Sequence, residues 1–119
     1  MARSMLLISR QAPWAGPAAR EALDLALAGG AFDLPLSLLF LDDGVLQLTS
    51  GQQPQQLQQK DLGANLQALP LFGIEQLYAS QRSLTERGLQ HAELGLPVQR
   101  LDDEEVRQLL ACHDLLVTL

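Results

Sequence analysis

Ser80 and Cys112 are the two side chains whose positions could support nucleophilic or sulfur chemistry. Ser80 ends a predicted strand and begins a predicted short helix, where the helix dipole would lower the pKa of a thiol. A serine hydroxyl is barely acidified by that field and needs a general base, and none stands at a known spacing. No G-x-S-x-G motif surrounds it. We therefore expect Ser80 or Ser83 to cap the helix, with Ser83–Glu86 as a capping box.

Cys112, the one cysteine of the chain, lies near the C-terminal end of the last predicted helix, away from its apolar stripe. That end of a helix raises the pKa of a thiol, so a sulfur-carrying role is disfavoured. His91 falls in a turn-like region and His113 on the apolar stripe, and we assign both a structural role. Cys112 and His113 are adjacent and point about 100° apart on a helix, which does not suit a metal site.

Asp42 and Asp43 follow the central strand at its carboxyl end, the edge where ligands gather in open α/β sheets. They could bind a divalent cation or share a proton, but adjacent side chains diverge and no third carboxylate is fixed nearby. We expect them to be solvated and to cap a helical turn over Gly44–Leu48. GxGxxG and GxxxxGK[ST] motifs are absent, and Gln11–Trp14 is not the Ser/Thr-rich loop of a flavin site. We expect neither a cofactor nor a metal.

Five predicted strands alternate with helices and would position these side chains. The central strand, Leu34–Leu41, is apolar except for Ser37, as a strand buried on both faces requires. Pro17 begins a helix that runs to about Ala28, where Gly29–Gly30 is expected to end it with a left-handed C-cap. Helical connections between all strands predict a mainly parallel sheet covered by helices on both faces, in one domain over residues 1–119. The other predicted elements are strands at Met5–Ser9, Ile74–Ala79, Pro97–Leu101 and Leu115–Leu119, a helix marked by Leu62, Leu66 and Leu69, a short helix Ser80–Arg87 ended by Gly88, and a last helix opened by Asp102–Glu105 with an inward stripe of Val106, Leu109, Leu110 and His113.

Composition disfavours several functional classes. The formal charge is −6, from 8 Lys+Arg against 14 Asp+Glu, and the basic residues are scattered singly. Binding to nucleic acid needs a basic stripe, so neither direct RNA or DNA binding nor an acidic membrane surface is expected. One cysteine fits a reducing compartment, the run Met5–Ile8 is too short for a signal peptide, and no apolar run nears the ~20 residues of a membrane span. These features predict a cytoplasmic protein.

A partner is also indicated by the composition. Charged residues make up only 18% of the chain, which is low for a small domain that must cover its own surface. The segment Thr49–Gln59 is polar, uncharged and rich in glutamine, and could be ordered by contact with another protein.

Several segments resemble the TusC branch of the DsrE/DsrF family, the DsrF-like subunits of sulfur-relay complexes. The resemblance implies a flavodoxin-like three-layer α/β fold with a five-stranded parallel sheet. It implies a heterotrimer with TusB-like and TusD-like chains, doubled into a hexamer. Such a complex takes persulfide sulfur through a TusA-like carrier and passes it through a TusE-like carrier toward 2-thiouridine at the tRNA wobble position. The similarity extends from Met5 to Leu119, and the segments that carry it are Gly16–Asp24, Phe40–Leu48, Gly51–Pro54, Leu71–Gln76 and Ser83–Leu89.

Ser80 decides what the resemblance implies for activity. In the family's sulfur-carrying subunits, the acceptor cysteine lies eight residues before the glycine that ends the short helix, and counting back from Gly88 gives Ser80. The resemblance therefore implies a non-catalytic subunit that builds the complex. The alternatives are a stand-alone small α/β enzyme using Ser80 or Cys112, and a module that binds flavin or another small ligand. The candidate interface residues are Asp43, Val45, Leu48, Gln52, Gln53 and Leu57.

Overall fold

A computed structural model describes residues 4–12, 14–31, 35–49 and 66–119 of the chain. Within these ranges five strands form one sheet in the order β4-β3-β2-β1-β5, and every strand pair is parallel. The predicted five-stranded parallel α/β architecture is confirmed. The strands are β1 (Met5–Ser9), β2 (Leu36–Phe40), β3 (Leu77–Ser80), β4 (Gln99–Leu101) and β5 (Leu115–Thr118); the helices are α1 (Ala18–Ala31), α2 (Gln81–Glu86) and α3 (Asp103–Ala111), with 3-10 helices at Asp42–Leu48 and Leu69–Phe72.

Two apolar clusters occupy opposite faces of the sheet and give the molecule its three layers. Alternate residues of a strand point to opposite faces, so Leu38 of β2 packs with α1 and α2 while Leu39 packs with α3. All five residues of β2 are buried. The prediction of a central strand that is covered on both sides is confirmed. Because β2 is packed on both faces, it gives the residues that follow it a fixed position at the carboxyl end of the sheet.

The predicted end of the first helix is wrong. The helix α1 continues through Gly29 and Gly30 to Ala31, and both glycines are buried. A Cβ atom on Gly30 would lie 2.8 Å from the carbonyl oxygen of Phe72 and 2.9 Å from Cδ1 of Ile74. Glycine stands there because the segment before β3 approaches the helix closely, and neither glycine has the positive φ of a left-handed cap.

The remaining elements follow the predicted pattern with small shifts of their ends. Leu66 and Leu69 are buried as the predicted helical stripe requires, whereas Leu62 lies outside the described residues. Ladder pairing of β3 and β4 begins two to three residues later than predicted, as is common for element boundaries. The acidic opening of α3 is confirmed, because Asp102 and Glu105 exchange side-chain and backbone hydrogen bonds of 2.8 and 3.0 Å in a capping box.

Among the described residues, no helix is both long and apolar enough to cross a membrane.

Candidate functional site

Ser80 is a helix cap at the carboxyl end of β3. Its Oγ accepts a hydrogen bond of 3.1 Å from the backbone N–H of Ser83, and the residue is 4% exposed. Of the two serines predicted as the helix cap, Ser80 is the one that occupies this position. The predicted capping box from Ser83 to Glu86 does not form, because Ser83 lies inside the first turn and its Oγ accepts the backbone N–H of Asp42 at 2.8 Å. The hydroxyl groups of Ser80 and Ser83 therefore both accept hydrogen bonds from backbone N–H groups.

A polar network joins the ends of three strands around Ser83. Arg10, after β1, donates from Nε and Nη2 to Oδ2 of Asp42 at 2.8 and 2.6 Å. Arg87, after α2, donates from Nε and Nη2 to Oδ1 of Asp43, both at 2.9 Å, and from Nη1 to the carbonyl of Ser83 at 3.1 Å. The carboxyl ends of β1, β2 and β3 are thus tied together by side chains distant in sequence.

The predicted capping role of the two aspartates is wrong. Leu41 occupies the N-cap position of the 3-10 helix, and its side chain makes no capping hydrogen bond. Asp42 has φ 51°, a left-handed conformation that aspartate tolerates better than most residues. Asp42 pairs with Arg10 and Asp43 pairs with Arg87, so each carboxylate is engaged by a guanidinium group on a different element.

The 3-10 helix Asp42–Leu48 is seated directly on the end of β1. Gly44 lies so close that a Cβ atom there would be 2.0 Å from the carbonyl oxygen of Ser9. Gln47 is 7% exposed, and its Nε2 donates to Oγ of Ser9 at 2.8 Å and to the carbonyl of Gln11 at 2.9 Å. The close approach of Gly44 to Ser9 and the hydrogen bonds of the buried Gln47 amide therefore fix the position of the 3-10 helix that carries both aspartates on the end of β1.

Two of the six candidate interface residues are buried within the chain itself. Val45 and Leu48 are 0% and 2% exposed and belong to the apolar cluster under α1 and α2. Their spacing of three, which is one turn of a 3-10 helix, was the sequence signal for a buried stripe. Gln52, Gln53 and Leu57 lie outside the described residues. Asp43 is exposed, so among the described residues the surface proposal is carried by Asp43.

Arg87 should contribute more to stability than Arg10. The Arg87 side chain is 23% exposed and binds both a carboxylate and a backbone carbonyl, whereas that of Arg10 is 52% exposed. We expect Arg87→Met to lower the free energy of unfolding by about 1–2 kcal/mol and Arg10→Met by less than ~1 kcal/mol. Urea unfolding measured at low and high salt compares the two variants, and equal losses would contradict this ranking.

Cys112 and His113 form a structural contact at the end of α3. The Cys112 thiol is exposed and donates to the carbonyl of Leu109 at 3.3 Å. Nδ1 of His113 lies 2.9 Å from the same carbonyl and Nε2 lies 3.1 Å from Oγ of Ser37. Because a carbonyl can only accept, Nδ1 carries a proton and cannot take one from the sulfur, although the two atoms are 3.5 Å apart. His113 links α3 to β2, as the predicted inward stripe requires.

The described residues offer few side chains that could bind a metal ion or a phosphate. No three His, Cys, Asp or Glu side chains come together there in a way that could hold a metal ion. A surface pocket of about 300 Å³, open solvent included, is lined by uncharged residues that supply no cation for a phosphate. His91 is exposed in a turn. The pocket is lined by Gln47, Leu48, Thr49, Leu66, Gln67, Gly95 and Leu96.

Known proteins are similar to this chain over most or all of its length. The model of the DsrE/DsrF-like family matches residues 3–119. A relative from Pseudomonas aeruginosa, named "Protein TusC homolog", is 63% identical over 119 residues, with 100% of both chains covered. A relative of the same name from Vibrio parahaemolyticus is 38% identical over 101 residues, covering 85% of this chain and 86% of the relative. Another from Aliivibrio fischeri is 27% identical over 111 residues, covering 92% and 94%.

The fold has a counterpart among solved structures. The crystal structure of the ychN protein from E. coli superposes with a TM-score of 0.82 at 20% sequence identity, covering 98% of this chain and 99% of that chain. At this identity the likeness concerns the fold.

Proposed function

This chain belongs to the DsrE/DsrF-like family, and from that premise we propose that it is a non-catalytic subunit of a TusBCD-like sulfurtransferase complex. The complex relays persulfide sulfur for 2-thiolation of the tRNA wobble uridine. The proposal is supported by relatives named as TusC homologs, one of them 63% identical over the whole chain. It places the protein in the cytoplasm, as a component of tRNA modification without its own contact to nucleic acid.

The burial of the Ser80 hydroxyl is the observation that carries the accessory role. Carrying a persulfide requires a thiolate that attacks the outer sulfur of a donor persulfide. A new S–S bond forms, the S–S bond of the donor breaks, and the donor leaves as a thiolate. Ser80 offers a hydroxyl that is 4% exposed and already accepts the N–H of Ser83. Cys112 is the one thiol of the chain, and it already donates a hydrogen bond to the carbonyl of Leu109 at the end of α3.

The partners in this proposal are TusB-like and TusD-like subunits, as a heterotrimer that forms a dimer of heterotrimers. TusA-like and TusE-like carriers act on the complex and reach this chain indirectly. The charge at the carboxyl edge of the sheet, where Asp43 is exposed beside Arg87, offers a polar contact for a neighbouring subunit.

Co-expression with TusB-like and TusD-like chains tests the assembly. We expect the three chains to co-elute on size-exclusion chromatography, and Asp43→Arg to weaken their association at least about tenfold by placing like charge beside Arg87. Asp24→Arg is the matched control, because that side chain is 58% exposed against 56% for Asp43 and also pairs with an arginine. Failure of the unmodified chain to co-elute would contradict the proposal.

Sulfur loading tests the accessory role separately. In a reconstituted relay with isotopically labelled persulfide donor, we expect Cys112→Ser in this chain to change sulfur transfer by less than about twofold. The reason is that the Cys112 thiol donates its hydrogen bond to the backbone carbonyl of Leu109. Mass spectrometry of the intact chain should find no labelled sulfur on Cys112. A labelled persulfide at that residue, or loss of transfer in the variant, would assign catalysis to this subunit.

A further inference from the structure

The strand β5 has the composition of an interior strand but lies at the edge of the sheet. Leu115 and Leu116 point to opposite faces and are 41% and 50% exposed. Natural edge strands often carry charged residues or proline, which prevent pairing with another chain. Residues 115–119 contain neither. The other edge differs, since β4 has three residues and carries Gln99 and Arg100. Within the described residues, the edge formed by β5 is therefore open to another strand.

The backbone of β5 defines what this edge can bind. Leu115 donates its N–H to Ser4 at 3.0 Å, and Leu119 donates to Ile8 at 2.9 Å and accepts from Arg10 at 3.0 Å. Because a parallel ladder uses alternate residues, Leu116 and Thr118 turn their N–H and C=O groups away from β1. In the part of the chain that the structure describes, no strand lies beyond β5. An extended backbone is the partner that satisfies such a row of donors and acceptors.

We propose that β5 pairs antiparallel with β5 of a second copy of this chain, across a two-fold axis at Val117. In this register Leu116 lies opposite the partner's Thr118, and Thr118 lies opposite the partner's Leu116. Both outward residues then exchange N–H and C=O hydrogen bonds with the partner copy, and no outward group on the strand stays unpaired. The two sheets become one continuous sheet.

The side chains favour a second copy because the strand is complementary to itself. On the face that carries α1, Leu115 lies opposite the partner's Leu119 and Val117 opposite the partner's Val117. Cross-strand apolar pairs stabilise an antiparallel sheet, and no like charges face each other in this register. The contact is isologous and closes at two chains. The overall charge of −6 opposes the approach of two copies, so added salt should strengthen the pairing. This inference is independent of the proposed function.

Disulfide trapping tests the register. The two Val117 residues form a non-hydrogen-bonded pair with Cα atoms about 4.5 Å apart, within the ~4.4–6.8 Å that a disulfide spans. We expect Val117→Cys, in a Cys112→Ser background, to form a covalent dimer under mild oxidation at least roughly tenfold faster than Leu71→Cys in the same background. Leu71 is the matched control because it is 87% exposed on a different element. Equal rates for the two variants would overturn the proposal.

Sedimentation velocity of the full chain tests the dimer without a cross-link. We expect a concentration-dependent dimer whose dissociation constant rises at least roughly tenfold in Leu116→Lys, because a charge is placed on the pairing edge. Leu71→Lys is the same change at an exposed leucine and should leave the constant unaltered, with circular dichroism confirming the fold of both. A monomer at every concentration would overturn the proposal. So would preferential cross-linking of Val117→Cys to a different, co-expressed subunit, which would assign the edge to that chain.

Discussion

Gly44→Ala is expected to lower the free energy of unfolding by more than ~4 kcal/mol, enough to prevent folding of a marginally stable domain. The added Cβ atom would lie 2.0 Å from the carbonyl oxygen and 2.8 Å from the carbonyl carbon of Ser9, and 3.2 Å from Cα of Arg10. These are backbone atoms at the end of β1, which cannot rotate away as a side chain could. The 3-10 helix must lift off the sheet, and the hydrogen bonds from Gln47 to Ser9 and Gln11 would be lost with it.

Gly95→Ala is the matched control for this substitution. A Cβ atom on Gly95 would meet its nearest neighbour, the carbonyl oxygen of Leu48, at 3.5 Å, which is ordinary contact. We expect a change of less than ~1 kcal/mol, the usual range for a surface substitution or a glycine-to-alanine exchange without strain. Urea unfolding followed by circular dichroism compares the two. The same unfolding midpoint for both variants would show that the loop is not seated as closely as described.

Ser80→Cys, in a Cys112→Ser background, is expected to give a thiol that is buried in the folded chain and reacts slowly with a soluble thiol reagent. The residue at this position is 4% exposed, so a reagent such as dithionitrobenzoate reaches it when the region opens. We expect labelling at least roughly a hundredfold slower than that of Cys112 in the unmodified chain, since local opening of a packed element is rare. The substitution should also cost about 0.5–2 kcal/mol, because sulfur replaces the oxygen that caps α2.

The unmodified chain provides the reference for this measurement, since its Cys112 is exposed. Both thiols should react at the same rate in denaturant, which separates exposure from intrinsic reactivity. Rapid labelling of Ser80→Cys in the folded chain would mean that the carboxyl end of β3 is open. In that case the absence of a thiol would be the one remaining reason why this subunit does not carry sulfur.

The arrangement of strands could be predicted from the sequence because it depends on local patterns. The run around β2 is apolar except for Ser37, and all five residues of the strand are buried. The strand β1 was predicted with its observed ends. A serine cap, at Ser80 or Ser83, could be predicted because serine followed by a short helical pattern is a local signal. These features need no knowledge of distant residues.

The contacts around the aspartates could not be predicted, because their partners are far away in sequence. Arg10 lies 32 residues from Asp42, and Arg87 lies 44 residues from Asp43. A helical turn after two aspartates is a reasonable pattern for capping, and the distant guanidinium groups overrode it. Gly30 was misread for a related reason, since its partners Phe72 and Ile74 belong to another part of the chain.

The position of β1 in the sheet has a consequence for biosynthesis. It is the first of the described strands to leave the ribosome, yet its neighbour on one side, β5, is the last. Ser4 and Asp114, whose contact closes that pairing, are 110 residues apart. A nascent chain therefore holds an apolar strand with one unfinished side until β5 has been synthesised, and such long-range closure is slow. Polypeptides that stop before Leu115 should depend on chaperones and be degraded.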